Sequence, residues 1–172
     1  MVYNSDAGPL YIRGKPSSEP LALLAENGNP DPLIDHYTKY NFGVSSVTSF
    51  AEEAPYLGGQ SLQIHVEVSD KYPLVTIASM AINTNDCFVS LNGAMLYQGQ
   101  ILDLPGLDAG SEENNEKCSS IPGPGCADIN GGNVRSGNGE NFVHVHRGFF
   151  GIGDLPADRY DWRNPMMRVT VS

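Results

Sequence analysis

The hydrophobic period of this chain changes near Val44, and this change constrains the fold more than any other feature. Upstream, apolar residues recur at helical spacing, whereas downstream they alternate with polar residues as in a β-strand. Residues 61–68 alternate throughout and are a predicted strand. One face of it would consist of Leu62, Ile64, Val66 and Val68. Residues 74–82 are nearly all apolar, which is typical of a central strand covered on both faces.

Shorter strand patterns follow along the rest of the chain. They lie at residues 87–91, 142–146 and 166–171. The pair Asn92 and Gly93, directly after the first of these segments, is a turn signal. Residues 103–140 are rich in Gly, Asn, Ser and Pro. A loop of this length inside a compact domain predicts a function, or a ligand that stabilises it.

Helical patterns occur before the change of period. Ser17 and Ser18 lie ahead of Pro20, which suits the first turn of a helix, and Gly28 is a stop signal. A second short helix is predicted over residues 31–40, from about Asp31 to Tyr40. Short strands joined by turns, with helices at the periphery, favour one all-β domain built as an antiparallel β-sandwich.

Composition and charge narrow the classes of function. Gly (19) and Pro (12) are plentiful and charged residues make up 17%, a mixture that suits turn-rich strands better than a helical bundle. Twenty acidic residues against ten basic residues give a formal charge of −10, which makes nucleic acid and bare anionic membranes poor partners. The sequence has no apolar stretch long enough for a transmembrane segment.

Three cysteines bear on the cellular compartment. Cys118 and Cys126 enclose a turn-rich segment that would let them form a disulfide, and two free thiols are the alternative. A disulfide here would contribute somewhat under ~3 kcal/mol and would indicate an oxidising compartment. Cys87 lies in a predicted strand and is interpreted as a small buried residue that does not act as a nucleophile.

Acidic residues at two places in the chain are candidate calcium ligands. Asp86 falls at the start of a predicted strand, and Asp108 and Glu112 lie four residues apart on a loop. Calcium prefers six to eight oxygen ligands, so backbone carbonyls and water would complete the shell. Gly110 would let the backbone curl so that both loop carboxylates point inward. A solvated acidic loop is the alternative, since such loops are common.

His144 and His146 form a second candidate metal site. Alternate residues of a strand share a face, which would allow both imidazoles to reach one transition metal. A metalloenzyme that uses this His-x-His site is the alternative function. Hydrogen-bonded, half-buried rings are the alternative, because the sequence nominates no third ligand near by. No motif of a common enzyme family is found, so no catalytic residue is predicted. Trp162 is interpreted as an anchor that closes the core.

Several segments taken together resemble the spondin domain, and its microbial members most closely. They are ASMAINTND (78–86), DAGSEENNE (108–116), CSSIPGPGC (118–126), FVHVH (142–146), GDL (153–155) and YDWRNP (160–165). Upstream, GKPSS (14–18) and LAENG (24–28) fit the same pattern. The resemblance therefore covers nearly the whole chain.

The resemblance implies an eight-stranded β-sandwich with one or two short peripheral helices, as a single domain over residues 1–172. It also implies one Ca²⁺ ion, held by residues that correspond here to Asp86, Asp108 and Glu112, with glutamate at the last position where the family has aspartate. The module would be secreted, periplasmic or otherwise extracytoplasmic, as in cell-adhesion and extracellular-matrix proteins. It would bind a protein or glycan partner, or join a larger assembly.

The resemblance carries one further expectation, about the start of the chain. Members of the family usually have an extra strand ahead of the segment that corresponds to residues 1–6. We therefore do not expect residue 1 to be the start of the mature protein.

Overall fold

The computed structural model describes residues 1–39, 42–50, 58–129 and 134–172. Within them lie eight strands: β1 (Val2–Tyr3), β2 (Val44–Ser46), β3 (Leu74–Met80), β4 (Cys87–Met95), β5 (Ile101–Leu104), β6 (Gly106–Asp108), β7 (His144–Val145) and β8 (Met167–Thr170). Six of them form one antiparallel sheet in the order β2-β1-β3-β4-β6-β7, and β5 pairs with β8 in a second. The predicted all-β, antiparallel fold of about eight strands is confirmed.

Three short helices lie outside the sheets in the described residues: α1 (Glu19–Asn27), α2 (Asp31–Lys39) and α3 (Ala157–Tyr160). The side chain of Ser18 caps α1 by accepting a hydrogen bond from the Leu21 amide, and Gly28 ends the helix at a φ of 67°. Both predicted helices are confirmed, although Tyr40 lies outside the described residues. The single turn of α3 was not predicted. None of these helices has the length and apolar content that crossing a bilayer requires.

The main core lies between the first two helices and the six-stranded sheet. Its buried residues are Leu10, Leu21, Leu24, Ala25, Tyr37, Phe88, Leu107, Ala109 and Val143. Phe88 on β4 pairs with Leu107 on β6, so this core fixes the two strands against each other. Asp86 directly precedes one of these strands and Asp108 ends the other. The core therefore holds in place the end of the sheet at which the candidate site lies.

The predicted strand at residues 61–68 is wrong. These residues lie outside any strand, and Leu62, Val66 and Val68 are exposed. Alternation makes a segment compatible with a strand, but a strand also needs a hydrogen-bonded neighbour. None of the strands in the described part of the chain pairs with this segment.

The predicted turn at Asn92 and Gly93 is also wrong, because β4 continues through both residues to Met95. Val75 pairs with Ala94 and Ile77 pairs with Leu91, so β4 carries one more residue than β3 between these two pairs. Gly93 has a φ of 69°, the left-handed conformation that suits glycine in a β-bulge. The Asn-Gly signal thus marks a bulge within a strand.

The long loop predicted over residues 103–140 begins later than expected. The end of β5 and all of β6 lie inside this range. After Asp108 the loop is closed by backbone hydrogen bonds, from the Glu113 amide to the Ser136 carbonyl (3.0 Å) and from the Asn141 amide to the Gly110 carbonyl (2.8 Å). The loop therefore has a defined conformation at its two ends.

Cys118 and Cys126 form the predicted disulfide. Both half-cystines are buried with Ile121, Phe149 and Leu155 in a second, smaller core. Trp162 packs against this cluster, and its ring meets that of Phe149 edge to face at 5.7 Å. The tryptophan thus closes this second core.

The main core yields a test of the fold through Phe88, which is fully buried and contacts the Tyr11 ring edge to face. We expect Phe88→Ala to lower the free energy of unfolding by about 3 to 5 kcal/mol, because it removes buried area and leaves a cavity. Phe42 is 90% exposed, so Phe42→Ala should change it by less than about 0.5 kcal/mol. Urea denaturation measures both, and equal effects would contradict this core.

Candidate metal centre

Strand pairing brings Asp86 and Asp108 to the same end of the six-stranded sheet. Cys87 and Asp108 are directly paired across β4 and β6, and the Ala109 amide donates to the Asp86 carbonyl at 3.1 Å. Both aspartates are fully buried. Residues 22 positions apart in the sequence therefore share one buried sheet end.

The Asp86 carboxylate joins this sheet end to the loop that follows β6. Its Oδ2 accepts hydrogen bonds from the Ser111 amide (2.7 Å), the Ser111 hydroxyl (3.1 Å) and the Glu112 amide (3.0 Å). Three donors on one oxygen favour the ionised carboxylate. Asp86 thus holds the backbone at Glu112 close to the strand.

The curl predicted at Gly110 is present. Gly110 has a φ of 68°, and a Cβ there would lie 2.5 Å from the Phe142 carbonyl oxygen, closer than any side chain can approach. Its amide donates to Asp108 Oδ1 at 2.7 Å. Glycine is therefore required for the turn that leads from Asp108 back towards Asp86.

Two carboxylate oxygens in this region are buried without a hydrogen-bond partner. Glu112 Oε1 accepts from the Ser136 amide at 2.8 Å, but Glu112 Oε2 and Asp86 Oδ1 have no donor. Burial of an unpartnered carboxylate oxygen is costly, and each such atom in a folded protein needs a physical explanation. A cation bound at these oxygens is one such explanation.

Burial makes these carboxylates resist ionisation. It raises the pKa of Asp86 to about 7, with a further contribution from the charge of Asp108. It raises the pKa of Glu112 to about 8, with smaller contributions from Glu26 and Asp86. Burial also raises the pKa of Asp108. The charge of Asp86 thus acts on Glu112 and that of Asp108 acts on Asp86, but the ligand atoms of the three predicted residues do not all lie within 4.8 Å of one another.

A histidine and a second acidic residue lie beside Asp108. His144 Nε2 is 3.6 Å from Asp108 Oδ1 and 3.7 Å from Glu140 Oε2. In the described part of the chain, this is the one group of three metal-ligating side chains whose ligand atoms all lie within 4.8 Å of one another. Such a group could hold a metal ion. Asp86 and Glu112 lie outside it, and Asp108 is common to both sets.

Glu140 was not predicted from the sequence. It lies in a Gly- and Asn-rich stretch without hydrophobic period, four residues before His144 and 32 after Asp108. The one available signal was that a carboxylate preceded the predicted histidine strand. The hydrogen bond between Asn141 and Gly110 closes the loop and brings Glu140 to the site. The spacing of residues in the sequence does not predict this contact.

The structure does not bring His146 to the same ligand group as His144. His146 Nε2 lies 3.0 Å from Asn114 Oδ1, and its Nδ1 lies 3.0 Å from the Gly148 amide. Its ring is stacked on Trp162 with the centroids 5.0 Å apart. Burial, and then the charge of Arg147, lowers the pKa of His146 to about 4, so the ring is neutral. Both of its nitrogens are thus occupied within the protein.

Cys87 is the one free cysteine in the described residues, and it is buried. Burial and the nearby charges of Asp108 and Asp86 raise the pKa of its thiol. The thiolate is the reactive form of cysteine. The position therefore suits the small buried residue that the sequence indicated.

Comparison with known proteins assigns no family to this chain. No model of a known protein family matches it, and no curated protein matches it. The likeness to the spondin domain stays a prediction from the sequence.

The raised pKa values of Asp86 and Glu112 predict how the stability of the metal-free protein depends on pH. Between pH 6.5 and 8 the folded protein retains protons on these groups that the unfolded chain, with pKa values of about 4, has already released. The stabilisation that comes from these retained protons is complete at low pH. It is lost as the pH rises through the pKa values that the two groups have in the folded protein. In EDTA, the free energy of unfolding should fall by up to about 1.4 kcal/mol per pH unit for each such proton.

Measurements above pH 6.5 avoid a contribution of opposite sign that His146 makes to the pH dependence of stability. The lowered pKa of His146 makes stability rise with pH, but only up to the ordinary imidazole value of about 6.5. Urea titrations at three pH values in this range give the slope. Glu112→Gln should make it shallower, whereas Asp70→Asn, at an exposed position, should leave it unchanged. A flat or rising profile would contradict the burial of these carboxylates.

Proposed function

We propose that this chain is a calcium-binding interaction module of the spondin type that functions outside the cytoplasm. The observation that carries the proposal is the presence of two buried carboxylate oxygens without a partner, Asp86 Oδ1 and Glu112 Oε2. With the buried Asp108 they form the acidic set that the sequence nominated for Ca²⁺. A divalent cation would compensate the charge that burial leaves unfavourable.

The chemistry of this set of donors favours calcium over a softer ion. Asp86, Asp108 and Glu112 offer hard oxygen atoms alone, and such ligands suit Ca²⁺ rather than a thiolate- or imidazole-seeking metal. Backbone carbonyls and water would supply the remaining ligands of a shell of six to eight. The net charge of −10 gives an approaching cation a favourable field.

Calcium would act on the connection between the sheet and the loop. Asp86 already accepts hydrogen bonds from the Ser111 and Glu112 amides through one of its oxygens. An ion shared by the other oxygen of Asp86 and by Glu112 would join the same two segments a second time. Binding of the ion would then be coupled to the local order of the loop.

The role as a binding module rests on the family likeness and on the position of the loop. The acidic loop follows β6 at the end of the six-stranded sheet, and loops held on such a scaffold commonly carry binding residues. The Cys118–Cys126 disulfide is compatible with a secreted, periplasmic or other oxidising compartment. A protein or glycan partner in that compartment is the proposed ligand of the module, whether free or as a subunit of a larger assembly.

A metalloenzyme is the second candidate function, and one observation favours it. His144 lies beside Asp108 and Glu140 in a group that could hold a transition metal. The version of this hypothesis that used both histidines loses support, because His146 is hydrogen-bonded to Asn114 and Gly148.

The calcium dependence of thermal stability tests the proposal. Ca²⁺ at about 100 times its Kd should add about 2.7 kcal/mol to the free energy of unfolding. For a chain of this length that corresponds to a rise in Tm of about 5 to 10 °C, which EDTA should reverse. Differential scanning fluorimetry of metal-stripped protein measures the shift.

Variants assign the shift to particular residues. Asp86→Asn and Glu112→Gln should each abolish most of the calcium-dependent rise in Tm, because each removes a buried charge that the ion would neutralise. Asp70→Asn is the matched control at an exposed aspartate and should keep the whole shift. If Ca²⁺ leaves the Tm of the unsubstituted protein unchanged, calcium is not the ion of this site.

A further inference from the structure

Three ligand atoms of Asp108, Glu140 and His144 face one another without being hydrogen-bonded to one another. The two separations from His144 Nε2, 3.6 and 3.7 Å, are too long for hydrogen bonds, and this buried nitrogen has no hydrogen-bond partner in the protein. In a tetrahedral zinc site with bonds of about 2.1 Å, neighbouring ligand atoms lie about 3.4 Å apart. The spacing here is thus close to that of ligands around a small ion.

The second nitrogen of His144 is engaged by the backbone. His144 Nδ1 lies 2.9 Å from the Val145 carbonyl oxygen, which can only accept a hydrogen bond, so Nδ1 carries the proton. In the neutral ring Nε2 then presents a lone pair to two carboxylate oxygens. A histidine that binds a metal is commonly oriented in this way, with its other nitrogen donating to a carbonyl.

Asn114 orients both carboxylates of the group. Its Nδ2 lies 2.6 Å from Asp108 Oδ2 and 3.4 Å from Glu140 Oε1, which leaves Asp108 Oδ1 and Glu140 Oε2 to face His144. His146 fixes this amide in turn. Because the Gly148 amide donates to His146 Nδ1, the proton lies on Nε2 and is donated to Asn114 Oδ1.

We propose that Asp108 Oδ1, Glu140 Oε2 and His144 Nε2 bind one transition-metal ion of the zinc type. This ligand set differs from the proposed calcium set in Glu140 and His144 and has Asp108 in common with it. His146 is a positioning residue that acts through Asn114. The His-x-His motif of the sequence then consists of one ligand and one residue that orients the other ligands.

The ligand set indicates the class of metal. One imidazole with two carboxylates suits Zn²⁺ or a neighbouring divalent transition ion, whereas Ca²⁺ and Mg²⁺ rarely take nitrogen ligands. His144 and Glu140 are partly exposed, so an ion can enter from solvent and water can occupy the fourth position.

Zinc binding in the presence of calcium tests the proposal. Metal-stripped protein is dialysed against Zn²⁺ with a large excess of Ca²⁺, and bound zinc is counted by elemental analysis. We expect one zinc per chain, and none above background for His144→Ala or Glu140→Gln. His65→Ala is the matched control at an exposed histidine and should keep the zinc. Co²⁺ in place of Zn²⁺ should give the strong visible absorption of a tetrahedral site.

The outcomes separate this site from the calcium site. Unchanged zinc binding in His144→Ala, or zinc that Ca²⁺ displaces completely, would overturn the proposal. Both of these variants should keep the calcium-dependent rise in Tm, since neither residue belongs to the calcium set, and circular dichroism checks that they fold. Zinc binding without any calcium response would uphold this site while it contradicts the calcium proposal.

The positioning role of His146 has its own test. His146→Phe keeps a ring against Trp162 but removes the donor to Asn114 Oδ1, so we expect the Kd for zinc to rise by about 10- to 100-fold. Trp162→Phe is the comparison, because it alters the same stack and leaves that hydrogen bond in place. Competition with a chromophoric chelator measures both values, and equal weakening would show that His146 acts through packing alone.

Discussion

The attachment of the Asp86 carboxylate to the backbone at Ser111 and Glu112 is the interaction on which the candidate site depends. One carboxylate oxygen accepts three hydrogen bonds there, and these fasten the loop after β6 to the start of β4. This attachment acts together with the hydrogen bonds from the Gly110 amide to Asp108 Oδ1 and from the Ser136 amide to Glu112 Oε1. A fully buried side chain thus fastens the first residues of a long irregular segment to the sheet.

Asn114 connects several buried polar residues of this region through hydrogen bonds, which explains why they are buried together. Its side-chain nitrogen donates hydrogen bonds to Asp108 and Glu140. Its side-chain oxygen accepts a hydrogen bond from His146, and its backbone carbonyl accepts one from Arg147. Because every polar atom of the side chain has a partner, its orientation is fixed. Fully satisfied networks of this kind give a buried polar region a unique arrangement.

Local sequence signals predicted much of the fold. The predictions that were wrong or missing depend on contacts between residues distant in the sequence. Ser18 and Gly28 mark the ends of α1 because capping depends on neighbouring residues alone. Residues 61–68 alternate as a strand would, yet no described strand pairs with them. In the site, Asp108 stood out by its spacing from Glu112, whereas Glu140 approaches it only through the closure of a loop. Likewise, nothing in the spacing of His144 and His146 indicated that His146 contacts Asn114 while His144 faces Asp108 and Glu140.

The electrostatics of the acidic set contain a conflict that a cation would resolve. The hydrogen bonds to Asp86 favour its ionised form, while burial and the charge of Asp108 oppose it. None of the ion pairs among the described residues brings a lysine or arginine to Asp86, Asp108 or Glu112, and Arg135 is engaged by Glu19 and Glu26. Protonation would remove the cost of burying a charge, but the hydrogen-bond donors that contact Asp86 bind the ionised carboxylate more strongly than the neutral one. A divalent ion would satisfy both demands, because it would preserve the ionised carboxylates and compensate their charge.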